Sequence, residues 1–198
     1  MDMSPDQIAR KIITATYSPD AGIFFKGGKE TMVMLHIMQD VIGKKLENPF
    51  IFLDSGKEQQ ELYDFIDEQE KEMGMNLHRF PFDGHEDKIR ALKDAIDTLN
   101  LEKVYVAIRR DESPARKDEV YMKIKDGTVR IHPMLEFSED DIWAMIRGKN
   151  IPYCTLLDQG YRSLGDGAQK SIEGGDERSG RDQDKEKIME RLRNLGYF

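Results

Sequence analysis

Cysteine is nearly missing from this chain, since Cys154 is the single thiol in 198 residues. One cysteine cannot close an internal disulfide, and it cannot supply the several thiolates of an iron–sulfur cluster or a cysteine-rich zinc site. Long hydrophobic runs are missing too. No stretch approaches the ~18 consecutive apolar residues of a membrane span, and the first residues, "MDMSPDQIARK", hold no signal-type apolar segment, so a cytoplasmic protein without a membrane partner is expected. Positive charge is in short supply: 30 basic residues face 38 acidic ones, for a net charge of −8. That balance disfavours nucleic acid as a partner. Histidines are few. His78 and His85 flank a strand end with no second ligand at metal-like spacing, so no metal ligand set is expected. His36, in an apolar helical run, and His132, before a proline, read as packed residues, as does Cys154.

What is present is an alternation of strand and helix patterns. Ser4, Pro5 and Gln7 mark a helix start, with Ile8 and Ile12 on one face. "AGIFF" (21–25), "PFIFLD" (49–54), "NLHRFPF" (76–82), "KVYVAI" (103–108) and "TVRIHPML" (128–135) read as strands, with amphipathic helical stretches between the first four. Strands separated by helices imply crossovers, hence an α/β fold: a mainly parallel five-stranded sheet with helices on both faces. Two segments break the rhythm. Residues 109–127 are charged and carry a proline, and residues 158–184 hold six of the 16 glycines. Ser138 caps a further helix, and residues 185–195 close the chain as a helix with Ile188, Leu192 and Leu195 in one stripe. No internal repeat or second domain is indicated, so residues 1–198 are expected to form one domain.

The stretch "FFKGGKETMVMLH" (24–36) places two glycines and a lysine between a strand and a helix. Such a junction presents backbone N–H groups at a helix N-terminus with no side chain blocking approach, which suits an anion. Each first-turn charge gains only ~0.3–1 kcal/mol from the helix end, so Lys29 and the Thr31 hydroxyl would have to add to it. The spacing fits neither Gly-x-x-x-x-Gly-Lys-Ser/Thr nor Gly-x-Gly-x-x-Gly.

"FKGGKET" resembles the Ser-Gly-Gly-Lys-Asp-Ser loop of the PP-loop ATP pyrophosphatases, in the Rossmann-like branch that holds phosphoadenylylsulfate (PAPS) reductase, the sulfate adenylyltransferase small subunit and FAD synthetase. "FLDSG" (52–56), "AIRRDESPAR" (107–116), "IHPMLEFSEDDIWAMI" (131–146) and "IPYCTLLDQGYRSLG" (151–165) are similar to further motifs of that branch, in the same order. The resemblance spans Gly22 to Arg181. It implies that Lys26, Gly27, Gly28, Lys29, Glu30 and Thr31 hold the phosphates of ATP and that Asp54 and Gly56 border the nucleotide. Arg109, Arg116, Tyr161, Ser163, Gly165, Arg178 and Arg181 would then meet phosphate or acceptor, and Lys29, Arg110 and Arg162 would stabilise charge at the transferred phosphorus. Lys26 and Glu30 stand where the family has serine and aspartate.

A reductase of this branch uses a cysteine in a Glu-Cys-Gly motif, which this sequence lacks, and after "YRSLG" it reads Asp166, Gly167, Ala168 rather than cysteine. The resemblance therefore implies ATP and Mg²⁺ without an iron–sulfur cluster, and transfer of AMP to an anionic acceptor, sulfate or flavin phosphate, with release of pyrophosphate. "ERSGRDQD" and the final "GYF" are similar to the end of the sulfate adenylyltransferase subunit, whereas "IPYC", "DQGY" and "SLG" are closer to FAD synthetase. A PAPS reductase-like protein without its own thiol and a non-catalytic nucleotide binder are the alternatives. The partner would be a second copy or a GTPase-type subunit. The glycine-rich segment 158–184 is expected to act as a lid.

Overall fold

The computed structural model describes residues 2–195; the final "GYF" lies outside them. Helix α1 (Pro5–Thr16) begins at Ser4, whose hydroxyl accepts from Gln7 N–H while the Gln7 side chain reaches back to Ser4 N–H, so both ends of the capping box close. Strand β1 (Gly22–Phe24), helix α2 (Lys29–Ile42), β2 (Pro49–Asp54), α3 (Gln60–Met73), β3 (Asn76–Pro81), α4 (His85–Thr98) and β4 (Lys103–Tyr105) follow in alternation. Next come β5 (Met122–Lys125), β6 (Thr128–Ile131) and α5 (Glu139–Lys149), then α6 (Gln183–Lys187) and α7 (Met189–Asn194).

The sheet order is β3-β2-β1-β4-β6-β5, parallel throughout except for β5, which runs antiparallel to β6. A sixth strand therefore joins the expected five. Its hairpin turns on Asp126 and Gly127, both at positive φ (49° and 79°), as a two-residue turn matching strand twist requires. Strand β6 stops at Ile131, ahead of His132 and Pro133, because proline has no N–H for the ladder.

Alternation along β1 divides the core. Ile23 and Phe25 face one side with Phe50, Phe52 and Tyr105, where α1, α2, α3 and α5 pack; Phe24 faces the other with Ile51, Val104 and Ala95 of α4. The fully buried run Met32 to Leu35 makes α2 the central helix of the first layer. The expected C-terminal helix is two short ones that break at Ile188, and its buried pair is Met189 and Leu192, with Ile188 and Leu195 exposed. The break rotates the second turn and replaces the expected stripe.

Between β1 and β4 the strand order reverses, because β1 connects outward to β2 and the chain returns to β4 on the opposite flank. Helices leaving the sheet on either side of such a point open a crevice at the carboxyl ends of the strands. The Lys26–Gly28 loop, straight after β1, lies there.

Candidate functional site

The loop after β1 is shaped by its two glycines. Gly27 has φ +74°, and a Cβ there would come within 2.8 Å of Leu62 Cδ1 and 3.2 Å of Ile66 Cγ1, so α3 packs directly on the backbone. Gly28 is the N-cap of α2, with no side-chain acceptor to cap the helix. A Cβ at Gly28 would meet only Glu30 Oε2 at 3.7 Å and Lys26 Cε at 3.8 Å. The loop is closed on its helix side and open towards the crevice.

The crevice holds a cavity of about 120 Å³ with two unlike walls. Phe24, Ile51, Leu53, Leu92, Val106 and Ile108, from three strand ends and α4, form an apolar wall. The same cavity is lined by Lys26, Lys29, Lys88, Arg116 and Arg162 with Glu30, Glu112 and Asp166. Thr31, Ser163 and Gly165 also line it.

Lys29 is 2% exposed and fully engaged. Its ammonium donates to the Arg162 carbonyl at 2.6 Å and to Glu177 Oε1 at 2.6 Å, with Glu30 Oε1 at 3.1 Å. Burial opposes its charge, but Glu30 and Glu177 outweigh burial and raise the Lys29 pKa. Arg109, wholly buried, donates to Glu30 Oε1 at 3.2 Å and also to Asp111 and Glu177. Burial and the neighbouring Glu30 leave the Glu177 pKa raised despite the Lys29 and Arg109 charges. Arg116 and Arg178 both donate to Glu112, whose pKa is lowered because those cations outweigh its burial.

Residues 158–184 are folded over this crevice. Glu177 ties the segment to Lys29 and Arg109, the Arg162 guanidinium donates to Glu139 and to the Gly175 carbonyl, and Arg181 donates to the Leu164 carbonyl and to Asp166.

Several residues expected at the site face elsewhere. Arg110 turns outward, donating to Glu136 and to the Lys117 and Glu119 carbonyls, with its guanidinium over the Tyr121 ring. The short helical turn starting at Arg110 sends consecutive arginines in opposite directions. Asp54 folds back on itself: Oδ1 accepts from Gly56 N–H at 2.8 Å and from the Tyr63 hydroxyl at 2.7 Å, so neither Asp54 nor Gly56 lines the cavity. Tyr161 packs on the core, and Arg178 is held behind the cavity by Glu186 and Glu112. Glu58, Lys88 and Asp166 line the cavity without having been expected there.

The Mg²⁺ expected with ATP finds no ready cage among the described residues. Glu30, Glu112 and Glu177 bring carboxylate oxygens within 4.8 Å of one another, but each already accepts from lysine or arginine. These residues do not fit a resident ion, which wants oxygen ligands not committed to nearby cations. Mg²⁺ travelling on a triphosphate would belong to the substrate.

Cys154 lies away from the crevice. It is 0% exposed, donates to the Glu61 carbonyl, and burial raises its pKa.

The chain matches the phosphoadenosine phosphosulfate reductase domain over residues 21–171. It belongs to that family. Among curated relatives, phosphoadenosine 5'-phosphosulfate reductase of Aliivibrio fischeri is 27% identical over 163 residues, covering 70% of this chain and 63% of that protein. The Vibrio cholerae protein of the same name is 24% identical over the same shares. The chain thus spans less than two thirds of the length of these relatives. In structure it resembles Candida glabrata FMN adenylyltransferase in complex with FMN and the ATP analog AMPCPP (TM-score 0.73, 21% identity, 81% of this chain and 60% of that one). It also resembles PAPS reductase from Candida auris in its phosphate complex (TM-score 0.64, 19% identity, 83% and 89%). At these identities the likeness concerns the fold.

Proposed function

We propose that this protein binds ATP in the crevice and transfers its AMP moiety to an anionic acceptor, sulfate or a flavin phosphate, releasing pyrophosphate. The observation that carries the reading is one cavity with an apolar wall at the ends of β1, β2 and β4 and a cationic wall at an uncapped helix N-terminus. A flat aromatic base suits the first wall and a polyphosphate the second.

An acceptor oxygen that is already ionised attacks the α-phosphorus; the new P–O bond forms as the bond to the pyrophosphate oxygen breaks. No general base is needed. The chain's task is positioning and charge stabilisation. Lys29 and Arg162, which line the cavity, carry this charge together with Arg109, which is joined to Lys29 through Glu30 and Glu177 and takes the part first expected of Arg110. Residues 158–184 act as the lid, with Ser163 and Gly165 on its inner side and Arg181 holding Asp166 and the Leu164 carbonyl. Transfer is favoured over thiol reduction because Cys154, the sole cysteine of this sequence, is buried outside the crevice with its proton held. The likeness to an adenylyltransferase that binds an ATP analog supports the same reading.

Incubating the protein with ATP, Mg²⁺ and a panel of sulfate, FMN and related anions should yield pyrophosphate and an adenylylated product. Nucleotide binding without pyrophosphate release for any acceptor would leave a binding protein instead.

A further inference from the structure

The carboxylate of Asp166 gathers cations from three parts of the chain. Lys88 of α4 donates to its two oxygens at 2.6 and 2.7 Å, Lys185 of α6 donates at 2.7 Å, and Arg181 donates at 3.2 Å. Asp166 is itself locked in place, since its N–H and that of Gly167 donate to the Glu58 carboxylate. A further cation stands beside this group. Lys26 lines the cavity and makes no hydrogen bond or ion pair with the described residues. Its stem presses on Gly165, where a Cβ would lie 3.1 Å from Lys26 Cδ. Asp166 is already shared, so it leaves Lys26 without a carboxylate of its own.

The contrast with Lys29 is informative. Lys29 and Arg109 are matched by Glu30 and Glu177, so the chain supplies their counter-charge. Lys26 has no such match, and a half-buried cation without one favours an anion from outside.

We propose that Lys26, Lys88 and Arg181 form a second oxyanion subsite, beside the Lys29 position, that receives a tetrahedral dianion such as sulfate or a phosphate group. Binding there is coupled to proton uptake by Lys26. Burial and the nearby Arg181 pull the Lys26 pKa down to about 7 against the attraction of Asp166, and Lys88 and Arg178 push the same way. Glu112, from the turn after β4, is the other charged group that senses Lys26. An arriving dianion favours the ammonium form, so binding is full below pH 7 and weakens as pH rises above it, by up to about tenfold per unit. The subsite rests on the nucleotide reading only for what brings an anion into the crevice.

Sulfate does not titrate in this range, which makes it the clean probe. Calorimetric titration of the full chain with sodium sulfate between pH 6 and 9, in two buffers of different ionisation heat, should show proton uptake and about a tenfold loss of affinity per unit above pH 7. Lys26→Met should bind at least about tenfold more weakly at pH 6.5 and lose both slope and uptake. Lys26→Arg, charged throughout, should restore binding without the slope. Unchanged sulfate affinity in Lys26→Met, or a slope that persists in Lys26→Arg, overturns the subsite. ATP titrations separate the two readings. Proton-linked sulfate binding without ATP binding sinks the nucleotide proposal and leaves the subsite; ATP binding with sulfate affinity indifferent to Lys26 does the reverse. Sulfate displaced by ATP marks the subsite as one for a nucleotide phosphate, whereas simultaneous binding marks it as an acceptor position.

Discussion

Glu177 Oε1 lies 2.6 Å from the Lys29 ammonium, and its other oxygen accepts from Arg109, so an acid of the glycine-rich segment bridges the two buried cations next to the loop and, with Glu30, balances their charge. A ligand phosphate seeking those cations has to compete with Glu177. The present cavity, about 120 Å³, is also smaller than the ~300–1,000 Å³ common for small-molecule sites.

Glu177→Gln should therefore tighten ATP binding by several-fold, because a charge-assisted competitor of about 1.5–3 kcal/mol is weakened. Limited proteolysis between Gly160 and Gly180 should be slower with nucleotide than without it, and Arg162→Ala should lower kcat. Equal cleavage rates in both conditions, with kcat unchanged in Arg162→Ala, would dispose of the lid.

The two loop glycines should respond differently to the same substitution. A valine at Gly28 has room within the protein and projects towards the crevice, so the variant should fold with wild-type circular dichroism and fail to bind ATP. A valine at Gly27 meets Leu62 and Ile66 at a positive φ, so it should lower Tm as well. ATP affinity that survives in a folded Gly28→Val protein removes the loop from the site.

Cys154→Ser should keep turnover within a few-fold of wild type, at a stability cost of about 1 kcal/mol for placing a hydroxyl in a buried thiol's space. Loss of activity in a variant with intact denaturation behaviour would restore a thiol mechanism.

His132 makes stability depend on pH. It is 0% exposed, its Nδ1 pairs with the Val120 carbonyl, and burial lowers its pKa from 6.5 to about 4. Between those values the unfolded chain binds more protons than the folded one, so stability falls as pH drops from 6.5 to 4, by up to about 3 kcal/mol from this residue. Urea denaturation across that range should show the slope, and His132→Gln should flatten it. An unchanged slope in that variant assigns the effect to other groups.

How far the sequence could be read depended on how local each signal was. The alternation of apolar runs located five strands and the central helix, and the glycine pair marked the loop because strand, glycines and helix adjoin in the chain. Strand β5 was hidden by its charge, yet Asp126-Gly127 between "MKIK" and "TVRI" is a two-residue hairpin signal that outweighs composition. Asp54, expected beside the nucleotide, accepts from Gly56 N–H in an Asx turn, which Asp-Ser-Gly also favours. Arg109 and Arg110 are adjacent and chemically alike, so only the backbone turn distinguishes the buried one from the outward one. Lys88 and Asp166 lie 78 positions apart, and no local pattern announces that they meet.

All six strands are complete by Ile131, whereas Asp166, Glu177 and Glu186, which join Glu30 and Glu112 in balancing the crevice, arrive later. A chain emerging from the ribosome can thus build its whole sheet while Lys29, Arg109 and Lys88 still await Glu177 and Asp166. Synthesis at ~5–20 residues per second makes this a window of a few seconds. During that window a half-made molecule carries a crevice with more cations left to pair, and a small polyanion can reach it before Asp166 and Glu177 do.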